Sequence, residues 1–392
     1  MSSDWLSDFV AHTDYGETPS RIMYWVGVTT IAGALRRKVW IEQDSFQWTP
    51  NFYMIIVGRP GVIKKSTSIG LGTRLLKHVE GIDFGPQIIT WQQLITHMAD
   101  SRQVVEINGE DFEMSCVTIS LSEFGSFFDP KNRDLVDNLT DIWDGRLGAI
   151  KKETKTSGND EIINGWLNIY ACTTPKWMST HFSDALVGGG FACRCVWLYG
   201  DKRARRVAYP ARQMPSLSIM RNQRDNLIEG LRRIAEYKGE YQITEEAYAW
   251  GDVWYEKYCD RMDALGETVE AEFEQRKQTH LHKLAMVISA SRGMFPVIDV
   301  SVLQEAESRL VDLEFDSKKI FGYVGQSTSS RIGSDILAAL ARTGRIKKMD
   351  LYRNLFFRTI SIVEFEEALK SAKASGLVLE GGPVTDPVIY LR

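Results

Sequence analysis

The sequence predicts an α/β fold built on a parallel sheet, and three observations predict it. Short apolar, β-rich runs alternate with segments of helical spacing over roughly the first half of the chain. The run "NFYMIIVG" (51–58) is almost wholly apolar, as a strand buried on both faces must be. Several strands end on polar residues or glycine before a turn, where open α/β sheets place their sites.

In order along the chain, residues 1–50 read as helical, with "PSRIMYWVGVTTIAGALRRKVWIE" carrying a long apolar helix and a short strand at Val39 to Glu42. The buried strand at 51–58 is followed by "STSIGLGTRLLKHVE" (66–80), which has amphipathic helical spacing. "QIIT" (87–90) reads as a brief strand and "WQQLITHMADSR" as a helix. "EMSCVTISLSE" (113–123) is an apolar strand ending on a carboxylate, and "NRDLVDNLTDIWDG" (132–145) is helical. "GWLNIYACTT" (165–174) and "CRCVWLY" (193–199) are further strands. Composition shifts at the basic, proline-bearing "DKRARRVAYPARQMPS", and from Leu217 to Gly325 the pattern is mainly helical. The expected organisation is a helical region at 1–50, a core at 51–205, a helical lid-like region at 206–328 and a C-terminal domain at 329–392.

A chain of 392 residues can bury two or three domain cores. Its 44% hydrophobic and 25% charged content is ordinary for a globular protein. The net charge of −4 excludes a chain that is basic throughout, so any nucleic-acid contact must come from a local patch. Cys116, Cys172, Cys193, Cys195 and Cys259 form no C-x-x-C pair. Neither a zinc site nor a disulfide framework is supported, and a reducing compartment fits. The N-terminus lacks the basic start and apolar core of a signal peptide, and no apolar run approaches the ~18 residues that span a bilayer. The expectation is a soluble cytoplasmic protein with no membrane partner.

"MIIVGRPGVIKKSTSIG" (54–70) lies close to the phosphate-loop pattern G-x-x-x-x-G-K-[ST]. Such a loop aims backbone N–H groups at phosphates, a lysine at the β/γ-phosphates and a hydroxyl at Mg²⁺. Gly58, Pro60, Gly61, Val62, Ile63, Lys64, Lys65, Ser66 and Thr67 are the candidate ATP-binding residues. With Lys64 as the phosphate lysine the length is standard but Lys65 fills the hydroxyl position. With Lys65 the loop is one residue longer and Ser66 follows as metal ligand. The second register is preferred because it keeps the lysine–hydroxyl pair. The plain alternative is a tight turn whose lysines cover a surface.

Three strand ends supply partners. "VTISLSEFGSFF" ends in Ser122–Glu123, where Glu123 would activate water and contact Mg²⁺, with serine in place of the usual aspartate. Thr174 in "NIYACTTPKW" would sense the γ-phosphate, with Thr173 as the fallback. Arg194 in "GGGFACRC" is costly to bury alone, so it is salt-bridged locally or aimed at a phosphate across a subunit boundary, with Arg146 and Arg133 as rivals.

With "PNFYMIIVGRPGVIKKST", "LSEFGSFF", "IWDGR", "ACTTPKW", "GGGFACRC" and "THLHKLAMVISASRG" in this order, the chain resembles a family of phage- and prophage-borne P-loop ATPases related to replicative DNA helicases. The resemblance spans roughly residues 15–320. It implies a RecA/AAA+-like P-loop NTPase core, ATP and Mg²⁺ as cofactors, and a working site, because glycine before the lysine is often lost in that family.

The C-terminal unit reads as three helices and a two-stranded wing, a winged-helix pattern, with "SIVEFEEALKSAKASG" as third helix and "LVLEGGPVTDPVIYL" as hairpin. Arg342, Arg345, Lys347, Lys348, Arg353 and Arg358 form a patch that could bind DNA phosphates; docking on another subunit or partner is the alternative.

The leading expectation is a Mg²⁺- and ATP-dependent DNA motor, helicase-like and serving phage replication in a bacterial host. It would act on single-stranded or forked DNA as a homo-oligomer, most simply a hexamer, with a primase or polymerase as a further partner. The alternatives are an ATP-switched DNA-binding or helicase-loader protein and a degenerate ATPase kept as a replisome scaffold.

Overall fold

The computed structural model describes residues 4–86, 88–154, 158–182, 190–266, 269–321, 328–356, 361–383 and 385–391. The chain is α/β and divides into two compact units, Met1–Phe321 and Gly322–Arg392.

At the centre of the first unit is a five-stranded mixed sheet in the order β4–β5–β8–β3–β9, with β3 at Tyr53–Gly58, β4 at Arg102–Ile107, β5 at Glu110–Leu121, β8 at Trp166–Thr173 and β9 at Cys195–Gly200. Outside it, β1 (Val39–Gln43), β2 (Phe46–Trp48) and β10 (Gly239–Glu240) form one small sheet, and β11 (Gln242–Ile243) and β12 (Val297–Ile298) form another. β5, β8, β3 and β9 are mutually parallel, and β4 is an antiparallel edge. Every residue of β3 and β8 is buried, which explains why these runs show no polar alternation. The β4–β5 hairpin was not expected, although its signal is present. Asn108 and Gly109 both have positive φ (54° and 84°), the conformation an Asn-Gly hairpin turn requires.

Helices cover the sheet. α1 (Trp5–Thr13) and α2 (Ser20–Leu35) come first, and α2 is buried continuously from Ile22 to Leu35, as a helix apolar on all sides must be. α3 (Lys65–Leu76) follows β3, α4 (Trp91–Asp100) precedes β4, α5 (Arg133–Asp144) follows β5 and α6 (Pro175–His181) follows β8. α7 (Leu217–Ala235), α8 (Glu245–Leu265), α9 (Val269–Glu274), α10 (Lys277–Ser291) and α11 (Val300–Phe321) complete the unit. The segments 1–50, 51–205 and 206–321 share one apolar core: Trp25 and Ile31 pack in the same cluster as Met54, Ile56, Leu231, Ala285 and Leu303.

Two expectations need correction. Ile88–Thr90 is not a strand, and Gln87 lies outside the described residues. Thr90 is instead the N-cap of α4, in a capping box with Gln93, and the strand-like pairing falls earlier, between Phe84 and Thr118. A hairpin of β6 (Ala149–Thr154) and β7 (Gly158–Ile163) also lies between α5 and β8, where no element was expected. Among the described residues, no helix is long and apolar enough to cross a membrane.

The second unit has helices α12 (Thr328–Thr343), α13 (Lys348–Phe356) and α14 (Ile362–Ala374). Its sheet is antiparallel, in the order β13 (Arg345–Lys347), β15 (Val388–Leu391), β14 (Val378–Gly381). Ile332, Ile336, Leu340, Leu351, Phe365, Leu369 and Ile389 form its core. The three helices and the hairpin occur in the expected order, and β13 is an additional strand.

Candidate functional site

Because β3, β5, β8 and β9 are parallel, their C-terminal ends lie along one edge of the sheet. The register pairs Val57 with Thr173, Gly58 with Gly200 and Leu121 with Ala171. The chain leaving these ends brings together the 59–64 loop, Glu123, Thr173, Thr174 and Asp201.

The loop is anchored by a side chain that the phosphate-loop pattern does not specify. Ile63 is 2% exposed and wedges between two strand-ending glycines. A Cβ on Gly200 would lie 2.0 Å from Ile63 Cδ1, and one on Gly58 would lie 2.8 Å from the Gly200 carbonyl oxygen. Gly61 turns the loop at φ 72°. Pro60 is exposed and Val62 half-buried.

Lys64 occupies the N-cap position of α3, and no side chain caps the helix. The Lys65 N–H bonds to the Ile63 carbonyl and the Ser68 N–H to the Lys64 carbonyl, both at 2.8 Å. Among the described residues, the N–H groups of Ser66 and Thr67 remain as the orphan donors of the first turn, beside their exposed side chains. This end of a helix carries positive potential and suits an anion.

The two lysines diverge. Lys65 is half-buried and folds back so that its ammonium donates to the Gly58 carbonyl oxygen. Burial lowers its pKa from the usual lysine range, while the nearby Glu123 carboxylate acts in the opposite direction. Lys64 is exposed, with Nζ 3.9 Å from Glu17. Only Lys65 is turned inward over the loop.

Glu123 is exposed at the end of β5, and the aromatic residues after it fix its place. Phe124 and Phe128 are buried and stacked, with centroids 4.7 Å apart, and Phe124 packs edge-on against Trp177. Ser122 is exposed beside it. Thr174 is half-buried and caps α6, its hydroxyl accepting from the Trp177 N–H at 3.2 Å. A hydroxyl that accepts can still donate its own proton. Thr173 is fully buried, and its hydroxyl has no hydrogen-bond partner among the described residues.

Two contributors were missed by sequence reasoning. Glu17, in the turn between α1 and α2, holds Lys64, the Arg203 guanidinium (Nε, 3.4 Å) and the Val207 N–H (3.2 Å). Arg203 also donates to the Gly61 carbonyl oxygen at 3.0 Å. Nothing near Glu17 in the sequence marks this role; the basic "KRARR" run was the visible half of the arrangement.

Arg194 is not part of this cluster. It immediately precedes β9, at the opposite edge of the sheet, and is 5% exposed. Its Nε and Nη2 donate to the two carboxylate oxygens of Asp144, each at 2.9 Å, and Nη1 donates to the Gly190 carbonyl at 2.6 Å. The rivals Arg133 and Arg146 are exposed, and Arg146 lies 3.6 Å from Asp141.

Other buried cations surround the Arg194–Asp144 pair. Lys283 donates to Asn51 Oδ1 (2.5 Å) and the Trp143 carbonyl (2.7 Å), with its ammonium 3.7 Å from the Trp143 ring centre. Arg37 donates to the carbonyls of Gly165 (2.9 Å) and Gly145 (2.5 Å). His280 Nε2 donates to the Cys193 carbonyl at 2.9 Å, and its Nδ1 has no hydrogen-bond partner among the described residues. Burial pushes its pKa from the usual 6.5 down to about 4. The unfolded chain therefore binds this proton near pH 6.5 and the folded chain only near pH 4, so stability falls as pH drops through that window. We expect His280 to contribute a loss of about 3 kcal/mol across it, beside His282, whose pKa burial also pushes down to about 4; the falling urea midpoint should be partly flattened in His280→Gln.

In the second unit Lys348 pairs with Glu366 (2.6 Å) and Arg353 with Asp350 (3.1 Å). Arg342, Arg345 and Lys347 are exposed, with Arg345 over the Tyr390 ring. Arg358 lies outside the described residues. Among the described residues, no group of three or more His, Cys, Asp or Glu side chains could hold a metal ion. No protein-family model and no curated protein matches the chain.

Proposed function

We propose that the Met1–Phe321 unit is a P-loop ATPase core of RecA/AAA+-like type that uses Mg²⁺ and couples ATP hydrolysis to work on DNA. One observation carries this reading. Lys65 and Ser66 open an uncapped helix directly after the buried strand β3, with Glu123 on the same sheet edge and near enough to act on the Lys65 ammonium.

The residues present suit the nucleotide and the metal. The free N–H groups of Ser66 and Thr67 would receive phosphate oxygens, and Lys65 would exchange the Gly58 carbonyl for the β/γ-phosphates. Mg²⁺ keeps several waters and is commonly held by one or two side chains plus substrate phosphates. Ser66, with Glu123 reached through water, is a sufficient set without an aspartate at Ser122. Bound there, the ion would neutralise charge developing on the phosphate oxygens. Glu123 would take the proton of the attacking water, and Thr174, just past the end of β8 beside β3, would donate to the γ-phosphate.

A neighbouring copy would complete the site with an arginine, as in a hexameric ring. Arg133 and Arg146 are exposed and can reach outward, whereas Arg194 would first have to leave Asp144. The second unit we read as a winged helix that contacts DNA phosphates through Arg342, Arg345 and Lys347. Serine at position 122 favours a second reading, in which the same site binds ATP, turns over slowly and acts as a switch or loader.

The test is Glu123→Gln. It is expected to bind ATP with near wild-type affinity while hydrolysis falls about 100-fold or more, the size of effect expected when a positioned proton acceptor is removed. Hydrolysis at the wild-type rate in this variant would remove Glu123 from the chemistry. A wild type with no DNA-stimulated turnover would leave the switch.

A further inference from the structure

We infer that the strap following β9, residues 202–212, is a binding surface for single-stranded nucleic acid, separate from the basic patch of the second unit. The inference rests on the nucleic-acid half of the proposed function and is independent of hydrolysis.

A cleft of about 490 Å³ opens beside the phosphate loop, lined by Arg59, Val62 and residues 201–206. Asp201 is its one acidic lining residue, and it faces Lys319 at 4.0 Å. Of the five lining cations, Arg203 is held by Glu17 and Arg205 by Asp14 at 2.8 Å. Arg59, Lys202 and Arg206 are exposed, and their side chains have no hydrogen-bond or ion-pair partner among the described residues. Three unpaired cations around a concave surface, on a chain of net charge −4, fit a run of phosphates. The lining contains no aromatic side chain to stack a nucleobase, so the cleft itself suits backbone and not base.

The base contact lies three residues on. Tyr209 is 68% exposed, and its carbonyl accepts from the Arg212 N–H at 3.0 Å in the turn Pro210–Arg212. A solvent-exposed tyrosine fixed between Arg206 and Arg212 is the pairing by which proteins hold unpaired strands: cations follow the backbone and the ring stacks a base. A duplex keeps its bases stacked inside and offers Tyr209 nothing. The strap also touches the nucleotide loop directly, through Arg203 on the Gly61 carbonyl and through Glu17, shared between Arg203 and Lys64. A strand drawn onto Lys202 and Arg206 would therefore pull on the same segment that positions the loop.

The experiment measures binding of the full chain to a labelled oligothymidylate across a salt series. Lys202→Ala/Arg206→Ala should weaken binding about tenfold and flatten the salt slope by about 1.4, at roughly 0.7 for each lost phosphate contact on a single strand. Tyr209→Ala should weaken binding about tenfold with an unchanged slope. Nucleotide binding, read with a fluorescent ATP analogue, should be unchanged in both. Unaltered DNA affinity in the two strap variants, with loss only in Arg342→Ala/Arg345→Ala/Lys347→Ala, would overturn the inference, as would a wild type that binds no oligothymidylate. Equal losses on duplex, with no effect of Tyr209→Ala, would make the strap a duplex surface and overturn its assignment to single strands. Loss of nucleotide binding alone would assign the cleft to ATP. The hydrolysis reading stands or falls separately, on Glu123→Gln and Lys65→Ala.

Discussion

Lys65→Ala is expected to abolish ATP hydrolysis, with a loss of about 100-fold or more, while Lys64→Ala keeps most of it. A lysine on the transferring phosphate acts where charge develops, and removing one such donor costs about 10²–10³ in rate. The two lysines are adjacent in sequence but differ in placement. Lys65 is drawn in over the loop to the Gly58 carbonyl, where the Glu123 carboxylate opposes the lowering of its pKa, and Lys64 faces solvent and Glu17. Removing Lys64 leaves the orphan N–H groups of Ser66 and Thr67 and the inward lysine untouched. Steady-state hydrolysis with and without single-stranded DNA, for both variants, is the measurement. Equal loss in both would mean that the loop reorganises when nucleotide binds. Loss confined to Lys64→Ala would restore the shorter register and place the hydroxyl requirement elsewhere.

Asp144→Ala should destabilise the first unit by about 3–5 kcal/mol, the cost of leaving a buried partner charge uncompensated. Arg194 is 5% exposed and uses both carboxylate oxygens, and Asp144 is the acidic group it contacts. Lys283 and Arg37 nearby are themselves donors that already reach carbonyl and amide oxygens, so neither can offer Arg194 an acceptor in place of the lost carboxylate. Asp144→Leu combined with Arg194→Met removes both charges and should recover most of the loss, because a buried pair replaced by apolar side chains of similar volume is often neutral. Denaturant midpoints of the single and double variants test this. If Asp144→Ala is nearly as stable as wild type, Arg194 has another acceptor or is free, and its role as a phosphate-directed arginine on a neighbouring copy becomes the better reading.

Much of the architecture is legible in the sequence because it follows from local periodicity and burial. The apolar run at Tyr53–Gly58, the helix opening at Lys65, the strand ending before Glu123 and the strand ending at Thr173 each carry their signal within about ten residues. Where a signal was misread, the local chemistry had two outcomes. Ile88–Thr90 is β-branched, yet Thr90 with Gln93 forms a capping box that starts a helix. The Asn108–Gly109 turn was visible but hidden between two polar strand segments.

The sequence by itself determined the α/β class, the strands whose ends form the candidate edge, and the residue types gathered there. Only the tertiary structure decided which of two adjacent lysines turns inward, that Ile63 packs against Gly58 and Gly200 to anchor the loop, and that Glu17 holds Lys64 and Arg203 together. It also decided that Arg194, read from sequence as salt-bridged locally or aimed at a phosphate, meets Asp144 fifty positions away in the chain. The physical reason is the same in each case. Secondary structure is written in neighbouring residues, whereas the partner of a charge is set by which distant segments the packed core brings within about 3 Å, where a hydrogen bond forms.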